Sequence, residues 1–198
     1  MNLVLSPHPD DAEYSISGKI LSDWFVNWTV VTISCGGDND STTGLARCEE
    51  SDRFWSQFPN VKHIALQVYS IDNMPEWELV AKIDELIPDY DTIYVPPLDD
   101  NHFEHRKVSK AARASARGKK ISLIEYYTPS TRSTWVPNMF ADIEDYYQRK
   151  TELLKTFESQ SDRFYFSDKN VEIFHEDYFC RLRGLDKVEK FRVEYMFE

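Results

Sequence analysis

The chain is poor in the residues from which several kinds of site are built. Only three of its 198 residues are cysteine, Cys35, Cys48 and Cys180, an odd number without framework spacing. They are too scattered for an enclosed structural zinc, and they fit a reducing compartment better than an oxidising one, so the expected location is cytoplasmic. Glycine is scarce as well, and the turn after the first strand lacks the glycine fingerprint of a dinucleotide site, which Gly36-Gly37 alone does not supply. No run approaches membrane-spanning length, and no basic segment followed by an apolar one opens the sequence, so neither a span nor a secretory signal is expected. Cations are few: 23 Lys and Arg against 34 Asp and Glu give a formal net charge of −11. Nucleic-acid polymers and anionic membrane surfaces are held by clustered Lys and Arg, so neither is an expected partner.

What is present is a regular alternation. A hydrophobic fraction of 41% over this length suits a single cored domain, 1–198. Strands are expected at Leu3–Ser6, Trp28–Ser34, Ile64–Val68, Thr92–Val95 and Ile121–Tyr126. Helices are expected at Ala12–Phe25, Leu45–Phe58, Trp77–Leu86, Arg106–Ala116 and Ile143–Phe157. Gly18 allows close packing in the first helix, and residues 35–43 read as a loop. Val171–Cys180 and Val188–Tyr195 read as a late antiparallel strand pair. Such a pattern predicts an α/β fold, a three-layer Rossmann-like and mostly parallel sheet with helices on both faces.

Two strand-to-helix junctions carry the chemistry. The first, Ser6-Pro7-His8-Pro9-Asp10-Asp11-Ala12-Glu13, sets an imidazole and two adjacent carboxylates against a rigid turn. His8 and Asp11 stand three apart and can converge on a divalent cation, while Asp10 points elsewhere and is free to take a proton from cation-activated water. The second, Asp99-Asp100-Asn101-His102-Phe103-Glu104-His105-Arg106, offers His105 as the third ligand, with His102 on the same face toward a reacting group. Three protein ligands with an open fourth position is the pattern of a catalytic zinc site. Both junctions fall at the carboxyl ends of strands, where open α/β sheets place their sites. The other histidines are bland by comparison: His63 reads as a strand-edge residue, and His175 as an aromatic-packed structural one.

These two segments closely resemble the signature motifs of the LmbE-like, or PIG-L, family of zinc-dependent N-acetylglucosaminyl deacetylases. The likeness runs from Leu3 to about Arg183. Arg47 and Glu49 look like the family's Arg-x-x-Glu-type helix; Pro137-Asn138, Asp142-Ile143, Lys150, Ser159-Gln160 and Glu176 look like its later landmarks. The resemblance implies His8, Asp11 and His105 as ligands of Zn2+, Fe2+ or another divalent metal, and Asp10 as general base. It also implies His102 as the electrophile supporting an oxyanion and Glu104 as the acidic neighbour that tunes His102. The implied reaction hydrolyses the acetamide of an N-acetylated amino sugar or its conjugate to acetate and a free amine. Two alternatives stand beside it, a metal-dependent amidase acting on a thiol conjugate or other metabolite, and a catalytically silent sugar-binding protein. Phe103-Glu104 stands where the family commonly has Pro-Asp, and Ser17-Gly18 where it has Gly-Gly.

Arg47 is the position expected to touch a sugar hydroxyl or phosphate, with a surface helix arginine as the plain alternative. Tyr126, Tyr127, Arg132 and Trp135 fall among Pro, Ser and Thr in a segment that reads as a flexible aromatic lid. A homo-oligomer interface is the other reading of that segment.

Overall fold

The computed structural model describes residues 1–36, 41–68 and 70–197, with side chains for all of these but 41–43. Five parallel strands form first: β1 (Asn2–Ser6), β2 (Trp28–Ser34), β3 (Val61–Val68), β4 (Thr92–Val95) and β5 (Ser122–Tyr126). Their side chains alternate across the sheet, as a period of two requires. Leu3, Leu5, Val31, Ile33, Ile93, Val95 and Leu123 enter one core with Leu79 and Ile83 of α3 (Glu76–Leu86) and Val108, Ala111 and Ala112 of α4 (Phe103–Ala116). Val4, Trp28, Val30, Tyr94, Ile124 and Tyr126 enter the opposite core. It is completed by α1 (Asp11–Ser22), α2 (Ser41–Trp55) and α5 (Glu144–Leu154). Because every central strand is buried on both faces, these segments read as continuous apolar runs.

The sheet order is β3-β2-β1-β4-β5-β7-β6, with β6 at Met139–Asp142 and β7 at Val188–Tyr195. The expected three-layer, mostly parallel architecture with an antiparallel end is therefore present. The antiparallel pair, however, draws on a different segment. Val171–Cys180 is helical, forming α6 (Asp168–Phe174) and α7 (Tyr178–Arg181), and β7 pairs instead with β6 in the register Met139↔Phe191 to Asp142↔Val188. Asp177 caps α7 by accepting the Cys180 N–H at 3.1 Å, a local signal that outweighs the aromatic composition favouring a strand. The loop expected over 35–43 falls largely outside the described residues, and α2 begins earlier than expected, at Ser41.

The cysteines also require correction. Cys35, after β2, and Cys48, on α2, are disulfide-bonded with their Cα atoms 5.4 Å apart, and Cys180 alone is free. A bonded pair belongs to an oxidising setting, so the cysteines lend no support to a cytoplasmic location. Among the described residues no helix is long and apolar enough to cross a membrane.

A buried ion pair fastens α1, α5 and β7. Lys150 donates to Glu189 at 2.5 Å and to the Tyr14 carbonyl at 2.6 Å. The Glu189 carboxylate also accepts the Gly18 and Lys19 amides at 2.8 and 2.7 Å. Gly18 is thus the point of closest approach: a Cβ there would lie 2.9 Å from Glu189 Oε1 and from Ile143 Cγ2. Gly18→Ala is expected to lower stability by about 1–3 kcal/mol through overpacking. The urea midpoint measures this, and an unchanged midpoint would show that Glu189 yields without cost.

Candidate metal centre and cleft

Parallel pairing of β1 with β4, in register from Asn2↔Thr92 to Val4↔Tyr94, sets the two motif junctions side by side. The order reverses at this point, since β2 and β3 lie to one side of β1 and β4 and β5 to the other. Such a switch point leaves a crevice at the carboxyl ends of the strands.

There His8, Asp11 and His105 converge. Asp11 Oδ2 lies 3.2 Å from His8 Nδ1 and 3.1 Å from His105 Nε2, and all three residues are buried. Ligand atoms on a tetrahedral zinc with bonds of about 2.0–2.1 Å stand roughly 3.3 Å apart, so this spacing suits one cation. His102 stands with them, since His8, His102 and His105 each offer a nitrogen within 4.8 Å of the others. The electrostatics point the same way. Burial opposes charge on His105, yet Asp11 and Asp100 outweigh it and push the imidazole up to about 10. Burial raises and the two imidazoles lower Asp11, with a net result well below the usual carboxylate range. This field favours positive charge at the centre, and the donor set fits a divalent cation.

Asp100 supports His105 from behind, its Oδ2 3.1 Å from Nδ1. It is fixed in turn by Thr128 and Ser130 hydroxyls, each at 2.6 Å. The sequence reading gave Asp100, Thr128 and Ser130 no role; an aspartate five residues before a ligand histidine was the available signal.

Asp10 is buried outside the ligand cluster, in the left-handed region at φ 92°. A non-glycine residue there is strained by about 1–2 kcal/mol, and two partners hold it. Its amide donates to Glu13 Oε2 at 3.0 Å, while Arg47 Nη2 donates to Asp10 Oδ2 at 3.0 Å and to the Pro9 carbonyl at 2.8 Å. Glu13 is itself anchored by the Ser51 hydroxyl and by Trp55 Nε1 at 2.9 Å. Burial drives the Asp10 carboxyl up, Arg47 opposes this, and the net value is about 6.

Arg47 is thus not on an exposed helix face; it is 7% exposed, with one guanidinium nitrogen given to Asp10 and to the Pro9 carbonyl. The Arg-x-x-Glu spacing is completed by Glu50 rather than Glu49. Glu50 is buried and accepts the Ser159 amide at 2.9 Å and its hydroxyl at 2.5 Å, whereas Glu49 is exposed.

His102 caps α4 beside the cluster, its pKa lowered by burial and by His105 and His8, and its buried Nδ1 has no hydrogen-bond partner among the described residues. Phe103 lies stacked on it, ring centroids 5.6 Å apart, and is half exposed. Glu104 makes its hydrogen bond to His8, with Oε2 2.6 Å from Nε2, and its charge reaches His102 only through space. Two residues escaped the sequence reading altogether. Arg163 contributes positive charge at Asp10, and Tyr165 places its hydroxyl 3.5 Å from Asp10 Oδ2.

The aromatic segment is not a lid. Tyr126 is fully buried with its hydroxyl on the Leu5 carbonyl at 2.8 Å, Tyr127 stacks on Phe174, and Trp135 donates to buried Glu125 at 2.7 Å. With these rings packed, an oligomer interface also loses the exposed aromatics that suggested it. His175 is fully buried beneath Tyr14. His63 mimics a nucleophile triad, with Asp52 at 2.7 Å and Ser51 at 3.4 Å, but Ser51 is fully buried and donates to Glu13.

Removing the Arg47 charge is expected to raise the Asp10 titration midpoint above its present value of about 6, by on the order of one unit, because a cation favours the ionised carboxyl. Carboxyl-carbon NMR of metal-free Arg47→Met tests this; a midpoint left in place would show that the guanidinium does not control Asp10.

Comparison with known proteins returns a family and a fold. No curated protein matches the sequence. Among solved structures, the N,N'-diacetylchitobiose deacetylase from Pyrococcus horikoshii superposes with a TM-score of 0.71 at 20% identity, covering 97% of this chain and 82% of that one. The deacetylase of the antimicrobial A40926 pseudoaglycone superposes at 0.77 with 17% identity, covering 100% and 98%. A 4-carboxy-2-hydroxymuconate hydratase from Pseudomonas putida gives 0.71 at 15%, covering 100% and 97%. At these identities the likeness is one of fold. The family model for GlcNAc-PI de-N-acetylase matches residues 3–116, more than half of the chain and both junctions that build the centre, and the protein belongs to that PIG-L family.

Proposed function

We propose that the chain is a metal-dependent deacetylase that hydrolyses the acetamide of an N-acetylated amino sugar or sugar conjugate, releasing acetate and a free amine. The observation that carries this reading is the single oxygen of Asp11 between His8 and His105, with Asp10 beside them and unligated. His8, Asp11 and His105 would hold zinc, ferrous iron or another divalent cation, whose Lewis acidity lowers the pKa of water and polarises an amide carbonyl.

The chain's own residues divide the remaining work. Asp10, lifted to about 6 by burial, accepts the proton of the attacking water and is suited to return it to the departing nitrogen. Arg47 keeps Asp10 ionised near neutrality and fixes its carboxylate, so in this reading it holds the base rather than the sugar. His102 presents an imidazole with one unpartnered nitrogen beside the ligands, in position to donate to the carbonyl oxygen as charge develops there. Tyr165 beside Asp10 and half-exposed Phe103 beside His102 would offer aromatic faces to the apolar side of a sugar ring. The similar fold of a deacetylase named for N,N'-diacetylchitobiose supports this substrate class. A silent binding protein would gain nothing from a strained, buried aspartate beside the cluster.

Acetate release across a panel of acetamido sugars and conjugates tests the proposal. Asp10→Asn is expected to lose about 10²–10⁴ of turnover while retaining its metal, and His102→Ala about 10²–10³. A metal-loaded protein that releases acetate from none of the panel points to an amidase of another conjugate; one that binds no cation rejects metal-dependent hydrolysis.

A further inference from the structure

At position 104 the glutamate reaches across the switch point instead of serving its own helix. From the first turn of α4 its Oε2 lies 2.6 Å from His8 Nε2, and both side chains are largely buried. His8 Nδ1, the opposite ring nitrogen, faces Asp11 Oδ2. An imidazole held at both nitrogens is fixed in orientation, and donating its Nε2–H to the carboxylate would leave the Nδ1 lone pair for a cation. The second oxygen, Oε1, accepts the Asp72 amide at 3.0 Å, and Lys107, one turn further along α4, donates to the Asp72 carbonyl at 2.7 Å. Both backbone polar groups of Asp72 are therefore held by α4.

We propose that Glu104 is a positioning residue for His8, orienting its ring for cation binding, and that the same carboxylate ties the β3–α3 loop to that ligand. This inference rests on the metal site proposed above. The residue type matters: an aspartate here would be shorter by about 1.5 Å, enough to open a 2.6 Å contact past hydrogen-bond range. Carboxylates behind a ligand histidine commonly govern metal affinity in this way.

The test is zinc affinity of the metal-free protein, by competition with a chromophoric chelator, together with hydrogen exchange at the Asp72 amide. The expected result is that Glu104→Ala and Glu104→Asp bind zinc about 10–100-fold more weakly than wild type at unchanged stoichiometry. Glu104→Gln, which keeps an acceptor oxygen at the same reach, loses less and controls for folding. The Asp72 amide exchanges faster in Glu104→Ala. Affinities equal to wild type in Glu104→Ala and Glu104→Asp would overturn the positioning role while leaving the metal site standing. A wild-type protein without zinc affinity would instead remove the site, and this inference with it.

Discussion

One carboxylate oxygen joins the two halves of the centre, and most of the surrounding structure serves to keep it there. Asp11 Oδ2 sits between His8 Nδ1 and His105 Nε2, at 3.2 and 3.1 Å, although the two histidines are 97 positions apart in the chain. The contact exists because β1 and β4 are neighbours in the sheet, with their carboxyl ends level. An order that parted β1 from β4 would separate the junctions. Carboxylates behind the ligands then reinforce it, Asp100 on His105 and Glu104 on His8.

A second constraint lies beside the first. Two adjacent aspartates cannot both turn toward one cation without crowding, and the left-handed backbone at Asp10 turns its side chain away from the cluster toward α2. That conformation is expensive for a side chain with a Cβ, and the structure supports it from both ends. Glu13 takes the amide, Arg47 takes the carboxylate and the preceding carbonyl, and Ser51 and Trp55 hold Glu13. Three of these four supporting residues, Arg47, Ser51 and Trp55, come from α2. The packing of α2 on the sheet is therefore part of the geometry of Asp10, and its role extends beyond the core formed by Phe54 and Trp55.

How much of this was legible follows from the range of each interaction. The five parallel strands and both junctions were readable because period, strand length and short motifs are local properties of the chain. The site residues His8, Asp10, Asp11, His102 and His105 come together as their spacing and the alternation of strand and helix imply. What was illegible depended on partners distant in sequence. Met139–Asp142 is a strand only because β7 offers it an edge, while Val171–Cys180, richer in aromatic residues, finds its burial as helices. Tyr126 and Trp135 looked exposed among Pro and Ser, but their polar atoms are met by Leu5 and Glu125. Cys35 and Cys48 are brought together by α2 folding back beside the end of β2, which counting cysteines does not reveal. The family resemblance implies that Glu104 serves its neighbour His102, whereas its length carries it to His8.

The fold does not by itself select a reaction, since a hydratase and deacetylases share this architecture. In the proposed function, selection falls to the groups beside the cation-binding residues. Amide hydrolysis differs from addition of water to a double bond in its leaving group: the departing nitrogen must receive a proton. The group that delivers it has to accept that proton first, so its affinity must lie between that of an ordinary carboxylate and that of a group protonated at neutral pH. Burial pushes Asp10 up and Arg47 pulls it down. Their opposition leaves the carboxyl at about 6, able to take a proton from water and still able to give it up. In the proposed hydrolysis of an acetamide, the Asp10–Arg47 pair would be the part of this site that distinguishes reaction from mere binding at a cation held by His8, Asp11 and His105.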